Sequence, residues 1–315
     1  MALLEVIDLE KTYLISRAFR SPLEVKALRG VSLELKAGET LAVVGESGCG
    51  KSTLAKVLMK IETVTSGKVE VDGQLLNQIS PQELSHRVQM IFQDPYSSIN
   101  PRKKIFDIVA EPLRIGGESS AEIQKRVQEA AQVVGLRPEI LQRYPHMLSG
   151  GQRQRVGIAR ALVTQPKVLI CDEPVSALDV SVQAQVLNLL LDLQQNQGLS
   201  YLFISHDLGV VRFLAHRVAV MYLGRIVELA KRDDIFLSAK HPYTQLLLRS
   251  TPTLQPLAAP IDIQEGELPS PMNPPTGCAF HSRCPWATSE CKEQMPELRW
   301  IGENQVACHH AEKNL

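Results

Sequence analysis

The stretch Gly45–Thr53, "GESGCGKST", decides how the chain is read. Gly45, Gly50, Lys51 and Ser52 satisfy G-x-x-x-x-G-K-[ST], a spacing in which small residues let successive backbone N–H groups turn inward around phosphate oxygens. A helix opening near Lys51 aims the positive end of its dipole at the same place. Lys51 is expected to reach the β- and γ-phosphates of a nucleotide, and the Ser52 hydroxyl to ligand Mg²⁺. Working outward, Leu41–Val44 is a short, wholly apolar strand, and "KSTLAKVLMK" is helical. That flanking separates a phosphate loop from a glycine turn that merely packs a helix on a strand. Alone, the motif indicates nucleoside triphosphate hydrolysis and nothing narrower.

Two further apolar strands carry polar groups at their C-terminal ends. Val168–Cys171 runs into Asp172 and Glu173, and Tyr201–Ile204 runs into Ser205, His206 and Asp207. Strands that are apolar throughout belong to a parallel sheet covered on both faces. Between them Val182, Val186, Leu190 and Leu193 recur at helical spacing, with Gly198 as the stop, giving a strand–helix–strand unit. Ligands of such sheets sit beyond the carboxyl ends of the strands. Asp172 is therefore expected in the Mg²⁺ shell, with Glu173 orienting and deprotonating an attacking water. From about residue 96 to 163 the texture is helical, in "SAEIQKRVQEAAQVVGL" and "GGQRQRVGIARALV", and reads as an inserted helical subdomain.

Composition narrows the class. Lys+Arg and Asp+Glu both number 34, so nothing favours nucleic acid or a polybasic membrane anchor. No apolar run approaches the ~20 residues that span a bilayer, and "MALLEVIDLEK" lacks the regions of a signal peptide. A cytoplasmic protein that meets the membrane through partners is expected. Seven prolines between Pro252 and Pro275 suggest an extended linker into a tail with Cys278, Cys284, Cys291 and Cys308. Four clustered thiols in such a chain suit tetrahedral zinc or an iron–sulfur cluster better than disulfides, with His281, His309 and His310 as alternative ligands.

"LSGGQRQR" (Leu148–Arg155), placed between the phosphate loop and the acidic strand end, makes the set resemble the ATP-binding-cassette (ABC) ATPases over roughly the first 235 residues. The resemblance implies a P-loop NTPase fold with a RecA-like parallel-sheet core, and contacts to ATP from Gly45, Glu46, Ser47, Gly48, Cys49, Gly50, Lys51, Ser52 and Thr53. It makes Tyr13 the aromatic that stacks on adenine, Gln93 a sensor of Mg²⁺ and the attacking water, Asp179 part of a loop that crosses to a partner, and His206 a γ-phosphate contact. Ser149, Gly150, Gly151 and Gln152 then face the γ-phosphate of ATP held by another subunit, so each chain supplies half of two composite sites.

"HPYTQLLLRSTP" and "GELPSPMNPPTGCAFHSRC" resemble the C-terminal extension of dipeptide/oligopeptide importer ATPases, and several other stretches resemble the F-type subunit of that system. This implies domains at 1–237 and 238–315 and a D-type ATPase partner. It also implies two membrane permease subunits, an extracytoplasmic substrate-binding protein and a place on the cytoplasmic face of the inner membrane. "DPYSSINPR", following Gln93, would lie near a groove for a permease helix. A [4Fe–4S] cluster on the four cysteines is implied, with zinc as the alternative. Nickel, glutathione and antimicrobial-peptide uptake systems share the extension.

Overall fold

The computed structural model describes residues 2–17, 20–94, 98–250, 269–270 and 272–312. The proline-rich segment expected as a linker lies mostly outside the described residues, as do residues 95–97 of "DPYSSINPR".

Along the chain the elements are β1 (Ala2–Arg17), β2 (Arg20–Lys36), β3 (Thr40–Val44), α1 (Lys51–Leu58), β4 (Ser66–Val71) and β5 (Gln74–Leu75). Next come α2 (Pro81–Arg87), β6 (Val88–Ile91), α3 (Ile105–Ile115), α4 (Ser120–Val133), α5 (Gly150–Leu162), β7 (Val168–Asp172) and α6 (Val180–Gln197). The rest are β8 (Ser200–Ser205), α7 (Leu208–Leu214), β9 (Arg217–Tyr222), β10 (Arg225–Lys231), α8 (Arg232–Ser238), α9 (Pro242–Ser250), α10 (Ser289–Glu293), β11 (Arg299–Ile301) and β12 (Asn304–Val306). They fall into two compact units, one of Met1–Leu4, Leu35–Glu39 and Val71–Phe203, the other of Glu5–Glu34, Thr40–Glu70 and Ile204–Leu315.

In the first unit β6 and β7 pair in parallel, from Val88↔Val168 to Ile91↔Cys171. Every residue of β7 is buried, as its apolar run requires. The helix expected between the acidic strand and the next is α6. It buries Val186, Leu187, Leu190 and Leu193 along one stripe and ends at Gly198, whose φ of 67° reverses the chain. Helix α4 starts on Ser119, whose hydroxyl accepts from the Glu122 N–H at 3.3 Å. Helices α3, α4 and α5, all from the stretch read as a helical insertion, pack on one another.

The second unit carries the phosphate loop. There β3 pairs in parallel with β9, but β9 with β10, β10 with β12 and β11 with β12 are antiparallel. The parallel pairing expected of the core is thus extended by antiparallel strands, which make the sheet mixed. The physical reason is the turn after β9, two residues long, with Leu223 at φ 42° and Gly224 at φ 78°. A turn that short makes a hairpin, whereas a parallel connection needs a crossover of a dozen residues or more. The stretch "LISRAFRSPLEVKAL" (Leu14–Leu28) joins the first two strands. Much of it is strand, closing β1 and opening β2, which lie side by side with β4 next to β1.

The C-terminal segment is built into this unit. Strand β12 adds to β10 at Glu228↔Val306 and Leu229↔Gln305. Tyr222 of β9, Tyr243 of α9 and Phe280 form an aromatic knot, with ring centroids 4.5, 5.4 and 5.5 Å apart. Beside it the fully buried Glu228 accepts the N–H groups of Lys240 (2.8 Å) and His241 (3.0 Å), tying β10 to the start of α9. Burial raises the Glu228 carboxyl pKa, and these two bonds oppose the rise. Glu228→Gln would turn one acceptor into an N–H₂ group facing an N–H. It should therefore cost about 1–3 kcal/mol of stability, read as a lowered denaturation midpoint, whereas Lys240→Ala, which keeps the backbone donor, should change little.

Candidate nucleotide site

The phosphate loop lies between the fully buried β3 and α1, with Gly45 and Cys49 buried, Glu46 half-buried and Ser47 and Gly48 exposed. At Gly45 a Cβ would come within 2.1 Å of the Met221 carbonyl oxygen, so only glycine lets the loop run this close to β9. Lys51 is 6% exposed. Its ammonium donates to the carbonyl oxygens of Gly45 (2.7 Å) and Glu46 (3.0 Å) and reaches the Cys49 sulfur at 3.8 Å. Burial pushes the Cys49 thiol up from its usual value, so that partner is neutral. A buried ammonium whose partners among the described residues are all uncharged favours an anion beside it. The cradle therefore fits phosphate. Ser52 is exposed at the second position of α1 and Thr53 is half-buried at the third.

Three braces on the loop were not foreseen from the sequence. The Gly224 N–H donates to the Cys49 carbonyl at 2.8 Å. The Glu46 N–H donates to the Tyr243 hydroxyl at 2.8 Å. The Glu46 carboxylate is held by Arg283 at 2.9 and 3.0 Å. Glu46, expected among the phosphate contacts, thus has both its N–H and its side chain committed to the C-terminal segment. In the same unit His206 is exposed at the end of β8. Its neighbours fix the turn: the Asp207 N–H donates to Ser205 Oγ at 3.0 Å, and Asp207 Oδ1 caps α7 by accepting from the Gly209 and Val210 N–H groups.

The first unit carries the other polar residues. Asp172 ends β7 and is 8% exposed, and Glu173 follows at φ 46°, a left-handed conformation costly for glutamate. The Gln93 amide donates to the Glu173 carboxylate at 2.8 Å, so the two residues read separately from the sequence do meet. At α5 the Ser149 hydroxyl accepts the Gln152 N–H (3.3 Å), and the Gln152 amide oxygen accepts the Ser149 N–H (3.2 Å). This reciprocal cap presets the N-terminus of α5. Gly151 has a packing role that the sequence reading missed, since a Cβ there would meet Val182 of α6 at 2.6 Å. Gly150 faces Leu178 at ordinary contact distance. Asp179 precedes α6 without capping it by its side chain.

Known proteins match this chain along most of its length. The ABC transporter family matches residues 28–176, and the oligopeptide/dipeptide transporter C-terminal region matches residues 227–291. The di/tripeptide transport ATP-binding protein DppF of Pseudomonas aeruginosa is 55% identical, covering 98% of this chain and 97% of its own. The oligopeptide transport ATP-binding protein OppF of Escherichia coli is 48% identical, covering 97% and 95%. This chain belongs to the ATP-binding subunits of the dipeptide/oligopeptide ABC transporter family. Among solved structures, the dimeric cassette MJ0796 in a post-hydrolysis state with ADP and Pi is 29% identical, with a TM-score of 0.63 over 73% of this chain and 98% of that one. CbiO1 of Clostridium perfringens, part of the complex cbiONQ, is 28% identical, with a TM-score of 0.64 over 75% and 91%.

Two expectations for this family member meet a more complex picture. Tyr13 in β1 is half-buried, and the Lys11 ammonium lies 4.8 Å from its ring centroid. Cys278, Cys284, Cys291 and Cys308 line one small cavity with His281, His309 and His310, and all four are unbridged. The Cys278 N–H donates to the Cys291 carbonyl at 2.8 Å, and the Cys291 sulfur lies 3.6 Å from His310 Nε2. Burial raises three of these thiols, Cys278 to about 12, Cys284 to about 11, and Cys308. Among the described residues no three side chains converge closely enough to hold a metal ion. No helix among them is long and apolar enough to cross a membrane. For the phosphate loop, Lys51→Ala should weaken Mg-ATP binding by roughly a hundredfold, and an unchanged dissociation constant in a folded variant would remove the phosphate assignment.

Proposed function

We infer that the chain is the ATP-hydrolysing subunit that powers a dipeptide/oligopeptide importer. The observation that carries this is the uncompensated ammonium of Lys51 inside a glycine-built cradle. It occurs in a chain about half identical, end to end, to peptide-transport ATP-binding proteins. Lys51 and the loop N–H groups hold the phosphates, and His206 contacts the terminal one. Glu173 accepts the proton of the attacking water, which the Gln93 amide orients. The short Gln93–Glu173 hydrogen bond supports that division of labour. Mg²⁺, when bound, neutralises charge on the phosphates, and Ser52, Asp172 and Gln93 have the oxygen donors such a hard cation takes.

The preset α5 N-terminus of Ser149, Gly150, Gly151 and Gln152 supports a second role, to reach the nucleotide of another ATPase subunit. In this reading a D-type subunit is the partner, Asp179 lies at their junction, and closure of the pair moves two permease subunits fed by an extracytoplasmic binding protein. The chain then works at the cytoplasmic face of the inner membrane. Glu173→Gln should keep Mg-ATP affinity while turnover by the assembled transporter falls by about 10²–10⁴, with a stable two-ATPase complex in ATP. Full turnover in this variant would remove Glu173 as the base.

The four cysteines are read as ligands of a [4Fe–4S] cluster. Their common cavity and unbridged thiols support the donor set, and the raised pKa values of Cys278 and Cys284 mean that a cation is needed to hold those two as thiolates. When bound, the cluster ties together a segment with little apolar core of its own. Anaerobically purified protein should be brown, and Cys284→Ser should lose iron and sulfide together. Colourless protein with stoichiometric zinc would reverse the choice of group.

A further inference from the structure

We propose that Arg283, one residue before Cys284, is a positioning residue for the phosphate loop, so that the cysteine-bearing segment sets the affinity for nucleotide. The inference rests on the reading of Gly45–Thr53 as the ATP site. Arg283 grips Glu46 as a fork, Nη1 to Oε2 at 2.9 Å and Nη2 to Oε1 at 3.0 Å. Two parallel charge-assisted bonds fix orientation as well as distance. The pair is mostly withdrawn from water, with side chains 11% and 23% exposed. The guanidinium also lies 5.6 Å from the Phe280 ring centroid and 6.0 Å from that of Tyr222, and Nη1 is 3.5 Å from the Tyr222 hydroxyl. Among the described residues its Nε is buried without a hydrogen-bond partner.

The position of Glu46 gives the contact its consequence. All three of its polar groups are engaged. The carboxylate is held by Arg283, the N–H by the Tyr243 hydroxyl, and the carbonyl by the Lys51 ammonium at 3.0 Å. A backbone held at side chain and N–H presents its carbonyl to Lys51 in one place. Releasing the carboxylate leaves that carbonyl held by the Cys49 N–H at 3.3 Å and, through the backbone, by Tyr243, so it shifts more easily with the ammonium and the lysine must be reordered when phosphate enters. The loss falls on binding rather than on proton transfer, because Gln93 and Glu173 are untouched.

The test is the ATPase activity of the assembled transporter together with Mg-ATP binding by the full-length chain. Arg283→Met should raise KM and Kd for ATP by about tenfold with kcat within about twofold. Arg283→Lys, which keeps the charge and loses the fork, should fall between. Glu46→Gln should reproduce the Arg283→Met loss, and the double variant should add nothing further, as coupled partners do. A lowered melting temperature with unchanged ATP affinity in Arg283→Met makes the pair structural only and overturns the proposal. If Arg283→Met does not fold, Glu46→Gln decides, since it is nearly isosteric, and normal ATP affinity there overturns it equally. Wild-type protein that fails to bind Mg-ATP would instead remove the ATP-site reading itself.

Discussion

One buried charge organises the second unit. The ammonium of Lys51 has been taken out of water, and among the described residues it meets two carbonyl oxygens and a neutral thiol. Holding it there requires a loop that cannot drift, and the surrounding structure supplies that rigidity from three directions. The β9–β10 turn grips the Cys49 carbonyl, α9 grips the Glu46 N–H through Tyr243, and Arg283 grips the Glu46 carboxylate. Those braces hold the Gly45 and Glu46 carbonyl oxygens where the ammonium meets them.

In the first unit the same economy appears in other chemistry. Glu173 sits at a left-handed φ of 46°, immediately after a strand buried at every position. The buried strand fixes where Asp172 and Glu173 emerge, and the Gln93 amide fixes the carboxylate. The reciprocal hydrogen bonds of Ser149 and Gln152 satisfy two backbone donors at the start of α5 that would otherwise need water. Each polar feature named from the sequence is thereby attached to an element end whose position is set by apolar packing.

Much of this was legible because it obeys local rules. The apolar runs of β3, β7 and β8, the helical stripe of α6 and its Gly198 stop are all consequences of periodicity and of glycine at positive φ. The antiparallel half of the sheet was not legible, because its turn is Leu223–Gly224. Leucine at φ 42° is locally unfavourable, and it is the burial of that side chain, 4% exposed, that offsets the cost. The long β1–β2 pair escaped because its sequence mixes charges into a half-solvated surface, which looks irregular when read linearly. Tyr243 and Arg283 could be named as parts of a family-like extension but not as partners of Glu46, since about two hundred residues separate them. Only folding puts such groups together.

Strand β12 has a consequence for how the cassette tolerates being shortened. Its backbone lies along β10 through Glu228↔Val306 and Leu229↔Gln305, and β11 in turn covers β12. The outermost rim of this sheet is therefore a three-residue ribbon that carries Arg299 and a solvent-facing Trp300. Cutting the chain back after α8 would strip that ribbon away and lay bare the backbone of β10 at Glu228 and Leu229. An uncovered sheet border of that kind is open to pairing with other chains.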